Sequence, residues 1–409
     1  MGDCDALLKR CQPQLKYDSN EAFFADSAAE WTDNPTNALR RESADGRPGE
    51  ILASASPDQG QQRLSLAFLA ADQYQSGAEA QGSDIITNAR RDYREQYVAL
   101  RQQPGYANRM YGRCKQGSDG LWLQYWFFYF FNDYNLAGGL GLHEGDWEMV
   151  QFRMGEDRPE RAVYAQHRQA EFAPWEEVEK LEGSPDTPVV YVARGSHASY
   201  FRPGYHETEA WYDIADGKRR TPKLELETIN DDEPSWVGWP GRWGDTLARI
   251  PDLHQPSPGG PCTKGHWDEP EALLKDARRR SDPEKPPAPP AVSACRVDGR
   301  LQLEFDFSSE PEIDPERLVV TINSIDDSLP PRTLTFAVQG ALRGTIQTRV
   351  SLDPSSNYDV AVSATDRAGK PSESDVGLIP PADGRGWSPA DIPRTIGRLV
   401  TRIRRRLDR

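Results

Sequence analysis

The chain is poor in sulfur and imidazole and has no long apolar run. Its 409 residues include five cysteines, four methionines and six histidines. Cys4, Cys11, Cys114, Cys262 and Cys295 are odd in number, far apart and form no C-x-x-C pair, which argues against a zinc ribbon or a dense disulfide framework. The longest aromatic-apolar run, residues 121–131, is interrupted by Gln124. At about half the ~20 residues a spanning helix needs, it cannot cross a bilayer as one. The opening MGDCDALLKRCQPQL lacks the apolar core of a signal peptide, and Ala6 stands where a myristoylation signal has Ser or Thr. A reduced, cytoplasmic protein is the default expectation, with non-classical export as the alternative.

Charge is unevenly distributed. Residues 385–409 hold eight arginines against Asp391 and Asp408, a net +6 within a chain of −15, so the remainder carries −21. An acidic body is unsuited to phosphate backbones, and no nucleic-acid partner is expected. The length exceeds one ordinary core of about 100–200 residues and implies at least two domains.

Proline marks the boundaries. Residues 281–290, SDPEKPPAPP, contain five prolines and read as a stiff linker, and residues 381–391 read as a second one. Between them, residues 291–380 hold short alternating runs (LQLEFDF, RLVVTI, TLTFAV, TIQTRVSL, YDVAVSATD), the period of a small β-sandwich. The stretch NYDVAVSATDRAGKPSESDV resembles the last strands of a fibronectin type III domain, with Tyr358 as its corner tyrosine. That resemblance implies a spacer or an adhesive surface. Residues 392–409 read as a basic amphipathic helix presenting Arg394, Arg398, Arg402, Arg404, Arg405 and Arg406. Its expected partner is an anionic membrane surface or an acidic protein, the protein's own body being the bland alternative.

Residues 1–280 form the largest unit. Residues 82–101 have helical character, residues 109–115 and 121–131 suggest a hairpin across GSDG, and strands are expected at 146–154, 161–167 and 188–193. WVGWPGRWGD, residues 236–245, reads as a packed loop. The expected fold is mainly β: a large β-sandwich with added N-terminal helical and loop segments, the small fibronectin-like sandwich, and the C-terminal helix.

The most informative segment is LHEGDWEMVQF, residues 142–152. In a strand, Asp146 and Glu148 share one face, roughly 7 Å apart, while Trp147 and Met149 take the other. With His143 just before them, these carboxylates suit a hard divalent cation. Mg²⁺ or Ca²⁺ would take the oxygens, and imidazole would also admit Mn²⁺ or Zn²⁺. His167 and His197 end later strands, so three of six histidines occupy comparable positions. The competing reading is an Asp/His hydrogen-bond network that braces loops. Ser196 beside His197 lacks a nucleophile elbow, and adjacent residues point opposite ways if extended.

Taken in order, WLQYWFFYFFNDYN, HEGDWE, YAQH, VVYVARGSHASYF, GRWG, SPGGP and HWDEP resemble the vacuolar protein sorting-associated protein 62 family over residues 11–270. The H-x-x-D-W-E pattern also resembles HRHDWE of the necrosis- and ethylene-inducing-peptide-like cytolysins, β-sandwich proteins similar to actinoporins. That second resemblance implies metal-site roles for His143, Asp146 and Glu148, a further acidic ligand near Asp133 or Asn135, and a sphingolipid sugar headgroup as ligand. Gly145 replaces the second histidine of the cytolysin motif. The leading expectation is thus a metal-dependent module binding a lipid headgroup or glycan. One alternative is a metal-dependent hydrolase of phosphoesters or esters, with His167 or His197 moving protons. Another is a structural or cargo protein docked through its arginine-rich tail.

Overall fold

In the computed structural model the described residues are 4–379, except 20, 44–47, 135–140, 168, 208–211, 220–221, 248–258, 276, 281–291, 307–314, 325–331, 339–342, 354–357 and 367–374. The arginine-rich helix and both linkers lie outside them. The chain divides into two units, one made of the described residues before 281 and one of those after 291.

A seven-stranded sheet organises the first unit. Its spatial order is Glu225–Thr228, Arg109–Gly117, Gly120–Asn132, His143–Met154, Pro159–Gln166, Gln169–Pro174 and Arg278–Arg279. The expected hairpin closes with Gly117 opposite Gly120. The aromatic strand, Gly120–Asn132, is central and buried on both faces from Trp122 onward, which explains why it reads as an unbroken apolar run. Phe128 and Phe130 pack on Trp31 from one face. Tyr125 and Tyr129 meet Phe152 and His197 on the other. That second face is covered by a smaller sheet in which Gln14–Tyr17 runs parallel to Ser184–Val192, with Lys180–Leu181 and Ser199–Tyr200 beside it. Tyr164 joins the two layers by donating its hydroxyl to the Val189 carbonyl, 2.9 Å away, and stacking on Phe201. The opposite face carries the tryptophan-rich segment, where Trp147 packs against Trp236 and Trp243, so residues 236–245 do form a packed loop.

Two expectations are corrected. Residues 82–101 are not one helix. Ile85–Asn88 is a strand paired to Asn37–Glu42, because the β-branched run Ile85-Ile86-Thr87 suits a pleated surface, and the helix spans only Tyr93–Arg101. Nor are all cysteines reduced: Cys4 on the short helix Cys4–Arg10 is bonded to Cys114, across 110 residues of sequence. A separation that long leaves no spacing pattern to read. A disulfide is characteristic of oxidising compartments, which weakens the reduced-cytoplasm default. Among the described residues no helix is long and apolar enough to cross a membrane.

The second unit has a three-stranded sheet (Val292–Val297, Arg300–Asp306, Arg343–Ser351) and a four-stranded one (Arg332–Ala337, Pro315–Ser324, Tyr358–Asp366, Asp375–Ile379). Its own core includes Leu303, Leu318, Val320 and Val360. Tyr358 is buried, and its hydroxyl accepts from the Asp353 N–H at 2.8 Å, the bond expected of a corner tyrosine.

Candidate functional site

Several strands of the first unit end at one edge of the sandwich. Tyr129 lies opposite Asp146 and Phe127 opposite Glu148, so the two carboxylates share the face that the smaller sheet covers, as the alternation predicts. Trp147 points the other way, into the tryptophan cluster. The Ser184–Val192 strand leads into the turn that carries Gly195, Ser196 and His197, and the segment after Gln14–Tyr17 delivers Glu21.

His197 is fully buried between two carboxylates. Its Nδ1 lies 2.9 Å from Asp146 Oδ2 and its Nε2 lies 3.7 Å from Glu21 Oε1, while its ring stacks on Tyr129 at 3.8 Å. Burial opposes a charge on this imidazole, but Glu21 and Asp146 outweigh it and raise the pKa to about 9. Glu21 also accepts the N–H groups of Ala22, Phe23 and Gly195. Gly195 has φ +74, and a Cβ there would stand 2.8 Å from the Asp133 carbonyl, so only glycine lets this turn close.

A second dyad lies beside the first. His167 Nε2 is 2.9 Å from Oδ2 of the buried Asp213, which also accepts from Tyr200 Oη at 2.6 Å and Ser196 Oγ at 2.9 Å. Burial works against the His167 charge, yet Asp213 and then Glu148 raise its pKa to about 9. About a third of the His167 side chain is exposed, so this imidazole can meet a ligand, whereas the enclosed His197 can only position others. Ser196 and His197 engage different carboxylates and form no nucleophilic pair. Both histidines are left-handed, φ 50 and 56, and Asp298 is the one other non-glycine of this kind among the described residues. Such backbone costs about 1–3 kcal/mol and persists where surrounding contacts impose it.

Glu148 completes the group. It is half-buried, and among the described residues its carboxylate has no hydrogen-bond partner. Burial and then the neighbouring Asp146 push its pKa up to about 8. Asp146 is the member that stays ionised, because its bond from His197 and the nearby imidazole charges offset burial. His143 opens the strand opposite Asn132, with Nδ1 on the Gly145 carbonyl at 2.7 Å, and burial holds its imidazole below the ordinary range. Gly145 has φ +55, and a Cβ there would lie 1.7 Å from the Trp243 carbonyl oxygen. The position occupied by the second histidine of the cytolysin motif is therefore backbone packed on backbone, with no room for a side chain.

The structure thus gathers Asp146, Glu148, His143, His167 and His197. The other acidic candidate, Asp133, is in an exposed ion pair with Arg94 at 2.9 Å, and Asn135 lies outside the described residues. Sequence reasoning missed Glu21 and Asp213, the buried counter-ions of the two histidines. Neither carries a motif, and each arrives from an element distant in sequence. Among the described residues no group of three or more His, Cys, Asp or Glu comes together as a ready-made metal cage. What is present is a carboxylate without a hydrogen-bond partner among the described residues, next to an ionised one, with the buried Ser199 Oγ also without a partner there. That set does not fit an all-protein cage, and any cation there would have to draw most of its ligands from water or a bound molecule.

No family model matches the sequence, and no curated protein matches it. Among solved structures, the chain is similar to necrosis and ethylene inducing protein 2 from the causal agent of cocoa's witches' broom disease. Identity is 14%, with 54% of this chain and 72% of that one covered, at a TM-score of 0.26. It is also similar to the fibronectin type III domain of human collagen alpha-1(XX) chain (19% identity, 24% and 86% covered, TM-score 0.18). The FN5 domain of Drosophila Lar is a further likeness (16%, 22% and 90%, TM-score 0.16).

Proposed function

We propose that the first unit is a binding module for the polar headgroup of a lipid or for a glycan, acting through the pocket around Asp146, Glu148 and His167. The observation that carries this reading is the half-buried Glu148 carboxylate, which stands on the same face as Asp146 and has no hydrogen-bond partner among the described residues. A half-buried carboxylate beside an ionised one is disfavoured as an anion unless a cation or a donor joins it. A divalent cation, Mg²⁺ or Ca²⁺ by the oxygen donors, would be held by Asp146 and Glu148, with His143 adjacent. When bound it supplies positive charge for the hydroxyl or phosphate oxygens of a ligand. His167, anchored by Asp213, offers its Nδ1–H, which has no partner among the described residues, to the same ligand, while His197 and Glu21 fix Asp146.

The test is binding of wild type and Glu148→Gln to arrayed glycans and to vesicles carrying glycosylated lipids, with Mg²⁺ or Ca²⁺ and again with chelator. Retention that needs both the cation and Glu148 is expected. Retention indifferent to both would remove the pocket from the account.

A further inference from the structure

The helix Tyr93–Arg101 buries Tyr93, Tyr97 and Leu100 and turns its other side to solvent. Arg94, Val98 and Arg101 recur there at helical spacing beside the exposed Glu95, with Arg91 just ahead of the helix. Val98 is 56% exposed at the centre of this stripe. Arg91 has no ion pair among the described residues. Among the described residues Arg94 is engaged by Asp133 alone, in an exposed pair worth about 0–1 kcal/mol and readily exchanged. Arg101 lies over Phe24 at 4.8 Å, a stacking contact that fixes the guanidinium and leaves its N–H groups available. The stripe continues across Asp133, whose backbone abuts Gly195, to Arg194, exposed and without an ion pair among the described residues, on the turn that carries His197.

We propose that this face docks onto a bilayer bearing anionic phosphate headgroups, with the guanidinium groups on phosphates and Val98 at the interface. Charge selects the occupant. Residues before 385 carry −21 in total, so an anionic surface repels most of this body and accepts it where arginines cluster around an aliphatic side chain. Asp133 and Gly195 join the face to the rim of the pocket, so docking would bring that pocket to headgroup level.

The experiment is co-sedimentation of the full chain with vesicles of phosphatidylcholine alone or mixed with phosphatidylserine, both free of glycan. Wild type is compared with the triple variants Arg91→Gln/Arg94→Gln/Arg194→Gln and Arg91→Lys/Arg94→Lys/Arg194→Lys. Each basic side chain at an anionic surface contributes about fivefold, so the Gln triple should bind roughly 100-fold more weakly to the mixed vesicles. The Lys triple should stay within a few-fold of wild type, which separates lost charge from lost folding. Equal binding by wild type and the Gln triple would assign adsorption to another segment, such as the arginine-rich tail, and overturn the proposal. So would equal binding to both vesicle types, or lipid-free self-association that the Gln triple abolishes. All sedimentations are run in chelator, so the cation-dependent pocket contributes nothing to them and a failure of the pocket reading leaves this test intact.

Discussion

Removing the charge on His197 is the perturbation whose magnitude the structure defines best. Its pKa is about 9 when folded, against an ordinary 6.5. Below about pH 6.5 the imidazole is protonated in both states and its pairing with Asp146 and Glu21 contributes in full. Between 6.5 and 9 only the folded state holds the proton, so each pH unit removes about 1.4 kcal/mol and the whole contribution is about 3 kcal/mol. Above the folded pKa it is gone. Asp26 and Glu144, buried carboxylates with pKa values raised to about 7 by desolvation, release their protons mainly below pH 7.5. Urea unfolding between pH 7.5 and 9 should therefore show wild type losing about 2 kcal/mol more than His197→Gln, which keeps a donor but has no charge. The two share the alkaline losses from His167, whose pKa is also raised to about 9, and from ionising Glu148, whose pKa of about 8 lies above its ordinary value. Parallel pH profiles for the two proteins would refute the assignment of His197 as a buried cation.

Reducing the Cys4–Cys114 bond, or replacing both residues by serine, should lower stability by about 2–5 kcal/mol, read as a drop in the urea midpoint. An unchanged midpoint would mean that the bond does not form in solution. Gly145→Ala forces a Cβ against the Trp243 carbonyl at a left-handed position and should cost several kcal/mol or abolish soluble yield. A stable Gly145→His protein would show that this position faces open space. Tyr358→Phe should weaken the second unit by about 1 kcal/mol in a melt, through loss of the bond from Asp353 N–H.

Local pattern made much of the fold legible. Alternation placed Asp146 and Glu148 on one face, GSDG marked the hairpin, and the corner tyrosine marked the second unit. These features depend on neighbours in sequence. Glu21 and Asp213 were invisible because their role is set by a parallel strand pairing and by a hairpin that the chain reaches from far away. The disulfide was hidden for the same reason. Residues 82–101 misled because Tyr93–Arg101 is strongly amphipathic and its period extends on paper into Ile85–Asn88, which pairing with Asn37–Glu42 claims as a strand. Asp133 shows the converse: a carboxylate at a plausible spacing is held by Arg94, a residue no motif singles out.

The central claim is that Glu148, beside Asp146, awaits a cation and the ligand that comes with it. The most direct measurement is unfolding of wild type and Glu148→Gln at pH 8 in rising Mg²⁺ or Ca²⁺. A cation bound by the native state alone should stabilise wild type by about 2.7 kcal/mol at a hundredfold excess over Kd and leave the variant unmoved. Identical curves for the two proteins, with no cation effect in either, would contradict the account and leave the Asp146–His197–Glu21 network as a structural brace.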